Sequence, residues 1–206
     1  MTSRPIRHVL FDADGVIQEI PGGWYAAMEP YVGERSREFL HFTWGHEGPA
    51  LAGEGDYRAM LAEDLRSYGV EAAVDEILEA VWYRIESDER SLALVRRMRE
   101  SGLGVHLGTN QDPYRAGYMR RALGYEAHFD TCFYSCDLGI AKPDPAFFAV
   151  VAERIGADPA EILFIDDGEP NVLAARSAGL VAIHWRLDAG QGALLAELAR
   201  HGIRLA

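Results

Sequence analysis

The chain has 206 residues, of which 49% are apolar, enough for one sizeable domain or a core domain carrying an insert. Its formal net charge of −12 argues against a nucleic-acid partner held through its phosphates, and no apolar run approaches the length that spans a bilayer. Two cysteines, Cys132 and Cys136, stand without companion cysteine or histidine ligands, so neither a zinc site nor a structural disulfide is implied. With no signal-like leader, the expected location is the cytoplasm.

The first element, "RHVLFD" (7–12), is a short apolar run that stops on Asp12-Ala13-Asp14-Gly15. Such runs, compact and without strict alternation, read as strands covered on both faces. Residues 16–88 then leave room for far more than one crossover. Within them, 56–68 carries Tyr57, Met60, Leu61, Leu65 and Tyr68 at helical spacing, and 71–86 carries Val74, Ile77, Leu78, Val81, Trp82 and Ile85 likewise. The stretch "FTWGHEGP" (42–49) fits no clear element. A helix over about 89–100 returns the chain to "GVHLGTN" (104–110), a second buried strand. A helix over 112–123 follows Asp112-Pro113, an N-cap residue and a proline at the first helical position. "HFDTCFYS" (128–135) is a weaker strand, 145–155 a helix after Asp144-Pro145, "EILFIDD" (161–167) a strand, 170–178 a helix ending at Gly179, and "LVAIHW" (180–185) the last strand. Strands alternating with helices predict an α/β fold with a parallel sheet and right-handed crossovers.

In such sheets ligands sit beyond the carboxyl ends of the strands. Three of those ends carry Asp12 and Asp14, then Thr109 and Asn110, then Asp166 and Asp167; Lys142 of "AKPDP" lies in the loop after the weak strand. Singly, each has an ordinary reading: a turn, a helix cap, a surface lysine. Their joint occurrence at successive strand ends suits phosphoryl transfer. The carboxylates of Asp12, Asp166 and Asp167 are hard oxygen ligands for Mg²⁺. The Thr109 hydroxyl, the Asn110 backbone N–H and the Lys142 ammonium suit the remaining phosphate oxygens. Asp12 is the candidate nucleophile, and Asp14 the candidate acid for the leaving group and base for water.

This set resembles the haloacid dehalogenase superfamily. "DADGV" is similar to its first motif, "LGTN" to the second, "KPDP" to the third and "FIDDGEPNVLAARSAGLVAIHW" to the fourth, in the order the family has them. The resemblance implies a Rossmann-like parallel-sheet core over 1–15 and 89–206, with residues 16–88 as a small helical cap inserted after the first strand. It implies a Mg²⁺-dependent phosphatase acting on a small phosphorylated metabolite through an aspartyl-phosphate. In that reading Asp12 is the nucleophile, Asp14 the acid/base with its backbone carbonyl also on Mg²⁺, and Thr109 and Lys142 bind phosphate. Asp167 is then the direct metal ligand, with Asp166 acting through water or on Lys142, although the two acids can exchange roles. Dehalogenases of the superfamily lack the second aspartate of the first motif, so Asp14 disfavours dehalogenation. Phosphosugar-mutase-type transfer and a non-catalytic binding module on the same fold are the alternatives. Trp24, Trp44, His46 and Arg58 of the insert are candidates for substrate specificity, as aromatic and basic groups that suit a phosphorylated metabolite.

Overall fold

The computed structural model describes residues 4–205. In chain order the elements are β1 (His8–Phe11), β2 (Gln18–Glu19), α1 (Gly23–Val32), α2 (Ser36–Trp44), α3 (Gly48–Leu51), α4 (Tyr57–Ser67) and α5 (Val74–Ile77), which runs on as a π-helical turn over Leu78–Trp82. Then come β3 (Glu86–Ser87), α6 (Glu89–Glu100), β4 (Gly104–Thr109), α7 (Pro113–Tyr118) with a π turn over Met119–Leu123, α8 (Tyr125–His128) and β5 (Thr131–Tyr134). The chain closes with α9 (Ser135–Leu138), α10 (Pro145–Ile155), β6 (Ile162–Asp166), α11 (Glu169–Ser177), β7 (Val181–His184) and α12 (Gln191–Arg200).

Five strands form one parallel sheet in the order β5-β4-β1-β6-β7. Side chains of successive strand residues point to opposite faces. Val9 and Phe11 therefore join Val105, Leu107, Leu163 and Ile165 in one apolar cluster, while Leu10 joins Ile162 and Phe164 in another on the far face. Burial on both faces is what suppresses the polar alternation expected of a half-exposed strand. The register places Phe11 beside Leu107 on one side and Ile165 on the other. Asp12 therefore emerges level with Asp166 and one residue short of Thr109. Because β1 lies between β4 and β6, these groups converge on the crevice where strand order reverses.

Between β2 and β3, which pair as a two-stranded antiparallel ribbon, the helices α1 to α5 enclose a third cluster of their own. Met28, Phe39, Leu40, Tyr57, Leu61, Ile77, Val81 and Trp82 make up most of it. Ile85 packs against both this cluster and the sheet's, whereas Val16 and Ile17 belong to the sheet's.

Several elements differ from the sequence expectations. The segment 42–49 is not elementless: Phe42–Trp44 completes α2 and Gly48–Pro49 opens α3. The helix expected over 71–86 is confined to 74–82, since Glu86 and Ser87 pair with β2. Residues 125–128, placed partly in the weak strand, form a helix, and the strand itself is 131–134. Helix α1 has no counterpart in the sequence reading; it contains Pro30 in its interior and starts from two glycines, Gly22 and Gly23, both at positive φ.

Candidate active site

Asp12 sits immediately after β1, buried, with its backbone N–H donating to the Ile165 carbonyl at 2.9 Å. Lys142, also buried, places its ammonium 2.8 Å from Asp12 Oδ1 and 2.6 Å from Asp166 Oδ2. Asn110 fixes the lysine's backbone, its Nδ2 donating to the Lys142 carbonyl and its Oδ1 accepting the Lys142 N–H. Burial, reinforced by Asp166 and Asp14, pushes the Asp12 carboxyl up to about 8 in spite of Lys142. Burial alone would lower Lys142, but the two flanking carboxylates more than reverse it and keep the ammonium charged.

Asp166 and Asp167, adjacent in sequence, have different surroundings. Asp166 is fully buried and its oxygens are committed to Lys142, to the Gly168 N–H at 2.7 Å and to Asn171 Nδ2 at 3.0 and 3.1 Å. The Asp167 carboxylate instead faces the cavity. It is raised by burial and by the charge of Asp166. Gly15 makes room for it: with φ at +76°, a Cβ there would lie 2.5 Å from Asp167 Oδ2, so a side chain is excluded by both conformation and space.

Asp12, Asp166 and Asp167 each offer one carboxylate oxygen, and these oxygens lie within 4.8 Å of one another. Three hard anionic donors around one ammonium leave a local excess of negative charge, and the raised carboxyls of Asp12 and Asp167 express it. A small divalent cation such as Mg²⁺ fits this donor set in charge and in chemistry.

Asp14 points the other way, into a separate network. Arg115 from α7 grips it bidentately, Nη1 to Oδ2 at 2.6 Å and Nη2 to Oδ1 at 2.7 Å. Gln18 Nε2 and Gln111 Nε2 add further bonds at 2.9 Å each. Burial raises this carboxyl, but the guanidinium and the two amides outweigh it and hold Asp14 below its ordinary value. Gln111 also donates to Thr109 Oγ1 at 3.0 Å. Arg115 is itself buried and bonded to the Trp82 carbonyl at 2.9 Å, with its guanidinium 5.0 Å from the Trp24 ring centroid. One side chain thus ties Asp14 to the helical layer.

These groups border a cavity of about 550 Å³ whose walls include Asp12, Asp14, Thr109, Asn110, Lys142 and Asp167. The strand-end residues singled out from the sequence are therefore brought together. Of the four specificity candidates, Trp24 lines this cavity and Trp44 lines a smaller one that shares Asp14 and Trp24 with it. His46 and Arg58 line neither. His46 is bonded to the Phe42 carbonyl and Asp64, and Arg58 pairs with Asp75, so both are taken up within the helical layer and its surface. Gln18, Gln111, Arg115 and Asn171 were not singled out. Gln111 stands in the loop two residues after Thr109, at the same strand end as the residues singled out, which was the available signal; Arg115 follows in the first turns of α7.

The family model of haloacid dehalogenase-like hydrolases matches residues 6–179. A phosphoglycolate phosphatase of Xanthomonas campestris is 28% identical over 188 residues, spanning 87% of this chain and 83% of that protein. The sesquiterpene phosphatase astK of Aspergillus oryzae is 35% identical over 101 residues, 48% of this chain and 51% of its own length. A HAD family enzyme from Bacteroides thetaiotaomicron, solved in complex with magnesium and inorganic phosphate, superposes with a TM-score of 0.75 at 22% identity, covering 92% of this chain and 98% of that one. The fold, the strand-end constellation and the match over 6–179 lead to one conclusion: the chain belongs to the haloacid dehalogenase-like hydrolases.

Proposed function

We propose that the protein is a Mg²⁺-dependent phosphatase that hydrolyses a small phosphomonoester through an aspartyl-phosphate on Asp12, with residues 16–88 acting as the cap over the site. The observation that carries this reading is the convergence of Asp12, Asp166 and Asp167 around Lys142, with Asp14 held two residues from the nucleophile. The relatives named as phosphatases support it. Asp14 weighs against dehalogenation, which has no proton to deliver to a leaving oxygen.

Asp12, Asp167 and the Asp14 carbonyl would hold Mg²⁺, whose charge would offset the carboxylates so that an anionic phosphate could approach Asp12. Asp166, saturated by Lys142, Gly168 and Asn171, orients the lysine; Asp167, open to the cavity, is the better direct ligand. Lys142, the Thr109 hydroxyl and the Asn110 N–H hold the phosphate oxygens. An Asp12 oxygen attacks phosphorus as the ester P–O bond breaks, and the leaving oxygen takes a proton from Asp14. Asp14 then removes a proton from water, whose oxygen displaces Asp12 and releases inorganic phosphate. The Arg115 pairing favours ionised Asp14, the form the second step needs.

The test is phosphate release from p-nitrophenyl phosphate, with and without Mg²⁺, alongside intact-mass analysis of quenched protein. Metal-dependent release and one phosphoryl group mapped to Asp12 are expected. Undiminished release after exhaustive chelation, or a phosphoryl group elsewhere, would overturn the mechanism.

A further inference from the structure

The smaller cavity, about 190 Å³, opens off the shared wall formed by Asp14, Trp24 and Asn110, on the side away from Asp12. Three tryptophans line it. Trp24 meets Trp44 edge-on at 5.9 Å between centroids and Trp82 at 5.7 Å. Its polar side chains are, with one exception, already engaged. Arg115 is bonded to Asp14, Gln111 and Trp82, and Gln111 to Asp14, Thr109 and Arg115. Asn110 holds the Lys142 backbone, and Asp112 accepts the Tyr114 and Arg115 N–H groups as the cap of α7. The exception is Glu47. Among the described residues its half-buried carboxylate has no hydrogen bond or ion pair, although burial and the nearby Asp112 press it up to about 8.

A sparsely hydrated carboxylate without a partner needs an explanation. With Arg115 committed to Asp14, no uncommitted cation in this cavity offsets Glu47, so a bound cation is what would bring it into its charged form, and the aromatic walls favour cations over neutral groups of the same shape. A polyol would need several uncommitted donors and acceptors, which these side chains do not offer. We infer that the Trp24–Trp44–Trp82 cavity with Glu47 takes a small organic cation, so that the preferred substrate is the phosphomonoester of an amino alcohol whose ammonium group sits here while its phosphate lies at Asp12. An ammonium two carbons from the ester oxygen also makes the departing alcohol a better leaving group, which suits an Asp14 held largely ionised. The phosphate half of this assignment rests on the phosphatase reading above; the cation half does not.

Two measurements separate them. Intrinsic tryptophan fluorescence is titrated with choline and with neohexyl alcohol, its uncharged carbon isostere. Choline is expected to bind about tenfold or more tightly than the isostere, and Glu47→Gln to collapse that ratio. Steady-state kcat/KM for choline phosphate against neohexyl phosphate should show the same preference and the same collapse. Equal affinities in the native protein, tighter binding of the neutral alcohol, or a ratio that survives Glu47→Gln would overturn the assignment. If choline is discriminated while no phosphomonoester is hydrolysed, the phosphatase reading fails and the cation site stands; if both esters are hydrolysed equally, the reverse holds. Thermal melts of the variant, read by circular dichroism, establish that it is folded.

Discussion

Around Asp12 three carboxylates gather beside one ammonium group, which pairs with two of them, whereas two residues further on Asp14 alone receives a guanidinium and two amide N–H groups. In the first cluster burial and the neighbouring carboxylates raise Asp12 and Asp167; in the second the guanidinium and amides outweigh burial and Asp14 is lowered. Both stand at the end of the same strand, so burial alone does not decide ionisation. What decides it is whether the compensating charge is part of the chain. On the proposed reading, the first cluster is incomplete without a cation, whereas the second has its compensating charge in Arg115.

Asp12→Asn tests the incomplete half and has the largest expected effect. Turnover should fall below detection, because the amide keeps the shape and loses the nucleophile. The same change removes a buried carboxylate raised by burial, so the melting temperature in chelator should be unchanged or higher. A clearly lower melting temperature would mean that the Asp12–Lys142 pair stabilises the metal-free protein.

On the balanced half, Asp14→Asn should slow hydrolysis by about 10²–10⁴-fold. Aryl phosphates need little protonation of the leaving group, so their first step should survive better than that of alkyl phosphates, and phosphorylated Asp12 should accumulate. Single-turnover kinetics with intact-mass detection reads this out. Equal losses on both substrates without accumulated phosphoenzyme would remove Asp14 from proton transfer.

Arg115→Lys keeps the charge and gives up the fork that holds both Asp14 oxygens. A loss of about tenfold or more in kcat is expected, with a smaller change in KM, and a destabilisation of about 1–3 kcal/mol by urea titration. If kcat is unaffected while stability drops, the bidentate grip is architectural and the contrast between the halves does not concern catalysis.

An effect on stability alone comes from the opposite end of the sheet, where His8 Nδ1 lies 3.2 Å from His106 Nε2. Burial, with His8 adding to it, lowers His106 to about 4. A histidine lowered in the folded state is protonated first in the unfolded chain. Its contribution is therefore whole above the unfolded value of about 6.5 and is lost as pH falls toward 4. Between pH 7 and pH 5 the loss should be on the order of 2 kcal/mol, and His106→Asn should flatten that part of the pH profile. Urea midpoints of the native protein and of His106→Asn at the two pH values check it, because the difference between the two proteins removes the opposite change from Asp12 and Glu47, both raised to about 8.

How far the sequence was legible follows the same division. The groups around Asp12 each end a strand or sit in the following loop, so apolar runs terminating in polar residues marked them. Those around Asp14 come from the ribbon strand β2, from the loop after β4 and from α7, and only tertiary packing unites them. Arg115 looked like any helix arginine until Asp14, Gln111 and Trp82 were seen to surround it. Glu47 lay in a segment whose glycines and proline hide two helix ends. Helix α1 was concealed by Gly22, Gly23 and Pro30, residues that usually break a helix. In each case the local signal was overridden by burial against the Trp82 cluster.

That cluster has a consequence for folding. The helical layer buries its apolar side chains among themselves and meets the sheet's interior at Ile85. Tyr114 of α7 also packs on the helical cluster, Tyr83 stacks on Tyr118 at 4.7 Å between centroids, and Arg115 reaches the Trp82 carbonyl. A chain with two separate interiors can open one and keep the other, so amides of the helices between Gly23 and Trp82 should exchange with solvent before those of the sheet. The bond from Arg115 to the Trp82 carbonyl, which helps hold the guanidinium against Asp14, is among those such an opening breaks. The ionisation of one aspartate is in this way thermodynamically linked to the cooperative folding of helices that carry none of the reacting atoms.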